Sequence, residues 1–220
     1  MGNASQLTGD VTVAAQGIFS ESSSQLHTIG GSVHSNDGRI FRYCKVGGTT
    51  LVPGQLYQAS AEDTSNMQDL TVTAPAANAT SITTTTTVTL AVNLMAGGFL
   101  TISSASTNFG QTLRISGNTV ASSAVTTIYL DDPVVYAPTG TTKIDMVKNP
   151  YNLVVVAPTT ATSAAVGFAL YKVTNAYFGW LCTYGPTSAL AQGTVVVGDD
   201  CVPAETTNAG SIVSRADAQP

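Results

Sequence analysis

"TSITTTTTVTL", residues 80–90, contains five consecutive threonines, Thr83–Thr87, and this run decides the fold class of the chain. A helix disfavours such a run, because β-branched side chains crowd the preceding helical turn. A pleated strand accommodates it, because threonine can face water or a threonine on the neighbouring strand. The stretch therefore predicts a β-strand.

The surrounding sequence, residues 68–130, also has the pattern of short β-strands. Turn-forming residues interrupt it at short intervals, at Gly97-Gly98, Gly110, Gly117-Asn118 and, just beyond it, Asp131-Asp132-Pro133. Short strands at such spacing are typical of sandwiches and barrels. We predict an all-β fold, an antiparallel β-sandwich or barrel of short strands.

Composition narrows the classes of partner. Only 10% of the 220 residues are charged, against about 25% in ordinary soluble domains. The 8 basic and 13 acidic residues give a net charge of −5, and the basic ones are mostly scattered. Nucleic-acid binding needs clustered cations that neutralise phosphates, so neither nucleic acid nor an anionic membrane is an expected partner. The first residues carry no secretion signal, which predicts synthesis in a cytoplasm.

Residues 1–36 are rich in Ser, Gly, Gln and Thr and contain few large apolar side chains. This composition predicts an extended N-terminal arm. Residues 37–220 read as a single β domain. Two packed β subdomains, split near residues 65–75, are the alternative.

The sequence offers little for catalysis. The only two histidines, His27 and His34, lie in the predicted arm, where a metal site would lack further ligands. The acidic pairs are Glu62-Asp63, Asp131-Asp132 and Asp199-Asp200, and neighbours on a strand point to opposite faces. No nucleophile-elbow, phosphate-loop or zinc-protease motif occurs in the text. We expect no catalytic residue, no cofactor and no metal.

The three cysteines, Cys44, Cys182 and Cys201, form no CxxC motif. An odd count argues against a disulfide framework, and Cys44 and Cys182 sit in apolar, strand-like text. We expect reduced thiols, with a single disulfide as the open alternative.

"YFGWLCTYGP", residues 177–186, gathers the only tryptophan and several other rings. Such a group could stack a sugar or a base, or it could close the core as a late strand. Along a strand, Phe178, Trp180, Cys182 and Tyr184 would share one face, without the flanking acids that a sugar platform needs. The pattern favours packing in a core or a subunit interface, for which the candidates are Phe41, Tyr43, Tyr151, Phe178, Trp180 and Tyr184.

Three segments resemble, in order, a family of tailed-bacteriophage capsid decoration (cement) proteins. They are "DGRIFRYCKVGGTTLVPGQLYQ" (residues 37–58), "MVKNPYNLVVVAP" (146–158) and "YFGWLCTYGPTSALAQGTVVVGD" (177–199). Cys182 departs from the family pattern, which has glutamine there, so a polar contact at that position is in doubt.

The resemblance implies a structural virion protein on the outer capsid surface that clamps neighbouring major capsid subunits, without catalysis. Sparse surface charge and long Thr/Val strands leave sheet edges open, which predicts self-association, and capsid symmetry suggests a homotrimer. A host-receptor or glycan-binding virion module is the alternative, because threonine-rich acidic sheets suit both roles. A polysaccharide-degrading enzyme that uses an acidic pair is the third hypothesis.

Overall fold

The structure, a computed structural model, describes residues 7–8, 16–62, 67–85, 90–121, 125–205 and 207–215. These residues form antiparallel sheets joined by turns, which confirms the predicted all-β class. Within these ranges, no helix has the length and apolarity needed to cross a membrane.

The strands of the described residues are numbered in chain order. They are β1 (Leu7–Thr8), β2 (Ser32–Ser35), β3 (Ile40–Lys45), β4 (Leu56–Gln58), β5 (Leu70–Val72), β6 (Ser81–Thr85), β7 (Phe99–Ser104), β8 (Thr112–Asn118), β9 (Val125–Leu130), β10 (Thr142–Val147), β11 (Val155–Val156), β12 (Ala165–Ala169), β13 (Phe178–Tyr184), β14 (Cys201–Pro203) and β15 (Ile212–Ser214).

The chain divides into two compact units. The first, called the sheet unit here, combines Met1–Ala61 with Pro150–Pro220, and the second, called the barrel unit, is Glu62–Asn149. The barrel unit is therefore an insertion in the chain of the sheet unit. The sequence alternatives were one domain over 37–220 or a split near 65–75, and neither included a return of the chain to the first unit.

The main sheet of the sheet unit has seven strands in the order β1-β2-β3-β13-β12-β4-β11, and β14 pairs with β15 separately. Both faces of this sheet are covered. Alternate residues of β3 and β13 point to opposite faces, so Tyr43 and Trp180 enter one cluster while Cys44 and Leu181 enter another. The cluster called the aromatic face consists of Val33, Phe41, Tyr43, Phe178, Trp180 and Cys182.

Gly179 shows how closely the backbone approaches its neighbours in β13. A Cβ atom at this position would lie 2.5 Å from Cγ2 of Val173, well inside van der Waals contact. Gly179 lies between Phe178 and Trp180 in the chain, and only glycine at this position lets the strand pass so close to Val173. Gly185, with φ of 91°, follows the last residue of β13, and glycine adopts this left-handed backbone without steric cost.

The barrel unit is a closed barrel in the order β10-β5-β6-β9-β8-β7. The threonine-rich text forms β6, in which Ile82 and Thr84 point inward and Thr83 points outward. The predicted strand is thus confirmed over Thr83–Thr85, while residues 86–89 lie outside the described ranges. Interior side chains of the barrel belong to one core cluster that includes Leu100, Ile102, Ile115, Ile128 and Ile144.

The two ends of the barrel differ in what they carry. Because consecutive strands run antiparallel, the loops after β5, β7 and β9 all lie at one end. These loops are residues 73–80, 105–111 and 131–141, and this end is called the loop end. The chain enters and leaves the barrel unit, at Glu62 and Asn149, at the opposite end.

Candidate functional site

Four of the six predicted packing residues meet on the aromatic face. Phe41 and Tyr43 on β3 lie beside β13, where Tyr43 is paired with Trp180 and Phe41 with Cys182. Relative exposures are 1% for Phe41, 0% for Tyr43, 7% for Phe178 and 3% for Trp180. These four rings are therefore packed within a single chain.

Tyr43 is the centre of the ring contacts. Its centroid lies 5.0 Å from that of Trp180 at an interplanar angle of 63°, and 6.0 Å from that of Phe178 in a stacked arrangement. Edge-to-face and stacked pairs at such distances each contribute about 0.5–1.5 kcal/mol beyond area burial. The rings thus hold β3 and β13 together as well as filling space.

Residues 16–31 cover this cluster. Ser22 and Phe178 exchange backbone hydrogen bonds of 3.1 and 2.9 Å, and the Gln16 amide donates to the Phe178 carbonyl at 2.9 Å. The Tyr43 hydroxyl donates to Gln16 Oε1 at 2.8 Å, so this buried hydroxyl is satisfied. The sequence placed these residues in an extended arm, but the part from residue 16 packs on the sheet; residues 1–6 and 9–15 lie outside the described ranges.

His27 lies against the aromatic face. Its ring centroid is 5.0 Å from that of Tyr43 and 5.3 Å from that of Trp180. Within the described residues, neither Nε2 of His27 nor Nε1 of Trp180, both buried, has a hydrogen-bond partner. Desolvation lowers the pKa of His27 below its ordinary value of 6.5. His27 is thus half-buried, whereas His34 is exposed on β2.

The remaining two candidates lie apart from the aromatic face. Tyr151 is half-buried against the opposite face of the sheet, with the Arg42 guanidinium carbon 5.5 Å from its ring centroid. Tyr184 is 68% exposed, because the pairing with β3 shifts register between Cys182 and Tyr184. The predicted alternation therefore places Phe178, Trp180 and Cys182 correctly but does not bring Tyr184 into the core. A subunit interface at Tyr184 stays a prediction.

Two residues of the acidic pairs, Asp131 and Asp199, make local contacts. Asp131 forms an ion pair with Arg114 at 3.3 Å, and the Asp199 carboxylate accepts the Val196 N–H at 3.1 Å within its own turn. Asp63 lies outside the described ranges. Among the residues that are described, no group of three His, Cys, Asp or Glu side chains could hold a metal ion.

Sequence reasoning missed Gln16 and His27 as partners of the aromatic face. Both are isolated polar side chains in text without apolar alternation, so no local pattern connects them to a strand. Their contacts, with Phe178, Tyr43 and Trp180, join residues that lie far apart in the chain. Only the tertiary arrangement makes them recognisable.

Comparisons with protein-family models, curated proteins and solved structures found no match to this chain.

Proposed function

We propose that this protein is a structural component of a tailed-phage virion that attaches to the outer capsid surface by its sheet unit. The observation that carries the proposal is where the three family-like segments meet. The first contains β3 and β4, the second contains β11, and the third contains β13, and all four are strands of one sheet. Segments that are separated in sequence but form one sheet favour a shared architecture over chance similarity.

The proposed attachment is a clamp across neighbouring major capsid subunits by a homotrimer. Among the described residues, the sheet of the sheet unit ends at β1 on one side and at β11 on the other, and open sheet edges are sites at which further chains can pair. Tyr184, 68% exposed at the end of β13, supplies an aromatic side chain of the kind enriched in interfaces. The role needs no catalysis, cofactor, nucleic acid or membrane.

The test is attachment of the purified full chain to capsids that lack it. Sedimentation of the mixture should bring the protein down with the particles, and electron micrographs should show added density on the outer surface. Particles that leave the protein in the supernatant at micromolar concentration would contradict the proposal.

A pair of tyrosine variants sharpens this test. Tyr184→Ala should weaken capsid attachment or self-association with an unchanged melting temperature, because the ring is exposed in the isolated chain. Tyr171→Ala, at a residue that is 39% exposed in the same unit, is the matched control and should bind like the wild type. Equal binding by both variants would remove Tyr184 from the proposed interface.

A second function, host-receptor or glycan binding, is favoured by one specific observation. The barrel unit presents exposed rings at its loop end, on loops that hydrogen bonds join to each other.

A further inference from the structure

The loop end of the barrel exposes apolar side chains that the folded chain does not cover. Phe109 is 63% exposed, Tyr136 is 64% exposed and Val135 is 58% exposed. Single exposed hydrophobic residues are ordinary, but a group of them on adjoining loops indicates a binding surface.

The side-chain amide of Gln111 fixes two of these loops to each other. Its Nε2 donates to the carbonyls of Asn108 and Tyr136 at 2.7 Å each. Its Oε1 accepts the N–H groups of Val135 and Tyr136 at 3.0 and 3.1 Å. One side chain therefore sets the backbone positions on which both exposed rings are carried.

Further contacts brace the same loops. The Asn108 amide donates to the Ala137 carbonyl at 2.8 Å, and the hydroxyls of Thr107 and Thr139 lie 2.9 Å apart. Asn108 and Gly110, on either side of Phe109, both have positive φ, at 61° and 84°. The left-handed backbone at these two positions defines the turn from which the Phe109 ring projects.

Loop 73–80 is joined to loop 131–141 by backbone hydrogen bonds. The Asn78 N–H donates to the Val134 carbonyl at 2.7 Å, and the Val134 N–H donates to the Ala79 carbonyl at 2.9 Å. Val134 itself is fully buried in the barrel core. All three loops thus form one braced surface, and a surface that is already ordered loses little entropy when it binds a ligand.

The charges near the loop end restrict the class of ligand. Loops 73–80, 105–111 and 131–141 contain no lysine or arginine. The cations on the strands that follow loops 105–111 and 131–141 form ion pairs, Arg114 with Asp131 at 3.3 Å and Lys143 with Asp69 at 2.6 Å. Phosphate-bearing and other anionic ligands need unpaired cations, so nucleic acids and acidic glycans do not fit this surface.

We propose that the loop end of the barrel is a binding site for neutral glycans, with Phe109 and Tyr136 as its stacking platforms. The electron-rich face of an aromatic ring attracts the polarised C–H groups on one side of a sugar ring. Hydroxyl groups of the sugar find partners in the threonines of the loops and in the exposed carboxylate of Asp132. A platform covers only one side of the sugar, so the affinity for a single sugar unit is modest.

This site goes beyond the proposed capsid role and does not depend on it. The test applies the purified full chain, without particles, to an array that carries neutral hexose and N-acetylhexosamine oligosaccharides beside sialylated and sulfated ones. Saturation-transfer NMR with the neutral oligosaccharides then measures affinity in solution. We expect binding to neutral oligosaccharides, with no preference for the acidic ones.

Variants identify the rings as the site. Phe109→Ala and Tyr136→Ala should each weaken binding about tenfold or more, as loss of an anchor residue does. Tyr136→Leu should weaken it as well, because leucine keeps the apolar bulk but lacks the ring face. Tyr171→Ala is the control outside the site and should bind with the affinity of the wild type.

Three results would overturn the proposal. They are no binding to any neutral oligosaccharide, selective binding to sialylated or sulfated glycans, and full binding by a protein that carries both Phe109→Ala and Tyr136→Ala. If that double variant instead lost capsid attachment while the wild type bound no glycan, the rings would belong to a protein interface. Loss of capsid attachment with glycan binding intact would leave this site standing and refute the capsid role alone.

Discussion

Replacement of Trp180 by alanine tests whether the aromatic face is a core of the isolated chain. The indole is 3% exposed and contacts the rings of Tyr43 and His27. A buried tryptophan removes about 150–250 Å² from water, which at about 25 cal/mol per Å² corresponds to about 4–6 kcal/mol. The substitution also deletes the buried Nε1–H group, which has no hydrogen-bond partner among the described residues and whose burial costs about 1–3 kcal/mol.

The net expectation is a loss of about 3 kcal/mol in the free energy of unfolding, at the low end of the range for aromatic residues in cores. That is a large share of a total stability of about 5–15 kcal/mol. Urea unfolding followed by circular dichroism, with m-values compared, measures the difference. Trp180→Phe is the matched control, because it keeps a ring beside Tyr43 and removes the unpartnered N–H, so it should cost clearly less.

A change within about 0.5 kcal/mol for Trp180→Ala would refute this reasoning, since that is the range of surface substitutions. It would mean that the ring is exposed in the isolated chain and is covered only in an assembly. Loss of the oligomer from an unchanged fold would then follow, and size-exclusion chromatography of the same samples would detect it.

Three further predictions concern the sheet unit. Because burial lowers the pKa of His27, the unfolded chain binds more protons at this residue than the folded chain does below about pH 6.5. The free energy of unfolding therefore keeps its full His27 contribution above that pH and decreases below it. His27→Gln should reduce this decrease in urea melts compared at pH 5 and 7, and an unchanged pH dependence would contradict the prediction. Desolvation raises the pKa of the Cys44 thiol to about 12 and also raises the pKa of the Cys182 thiol. In the native protein a thiol reagent at pH 8 should therefore modify only Cys201, which is exposed, whereas all three thiols should react in denaturant. The isolated chain should sediment as an oligomer, with a trimer expected, and a well-folded monomer at micromolar concentration would count against it.

The sequence predicts the strands well where a local pattern carries the information. Ser81–Thr85 alternates between inside and outside as its threonines and Ile82 predict, and Phe178, Trp180 and Cys182 share a face as strand geometry requires. The shift of register before Tyr184 could not be predicted, because it depends on how β13 pairs with β3. The local sequence also does not predict that the barrel unit is inserted in the sheet unit, because the boundaries of an inserted unit depend on how the strands before and after it pair with each other.

The candidate sites show that a sequence pattern reveals residues grouped in one segment but not residues that come together from separate loops. Trp180 was recognised because its segment concentrates rings, and the interpretation of those rings as packing agrees with their burial. Phe109 and Tyr136 are single aromatic residues in loops that are separated in sequence, so neither one predicts a binding site by itself. Their loops are joined by the hydrogen bonds of Gln111, Asn108 and Thr107, side chains whose roles no sequence pattern reveals.

The topology of the two units separates the surface proposed for assembly from the surface proposed for glycan binding. A closed barrel pairs every strand on both sides, so the described strands of the barrel unit leave no sheet edge at which another chain could add. What it exposes instead is the braced loop end, a surface suited to a ligand that meets rings and hydroxyl groups. The sheet unit is the converse, because its sheet ends at β1 and β11 and so retains edges for pairing. The proposed self-association and capsid attachment are therefore expected in the sheet unit and the proposed glycan binding in the barrel unit, so that variants in one unit should leave the function of the other intact.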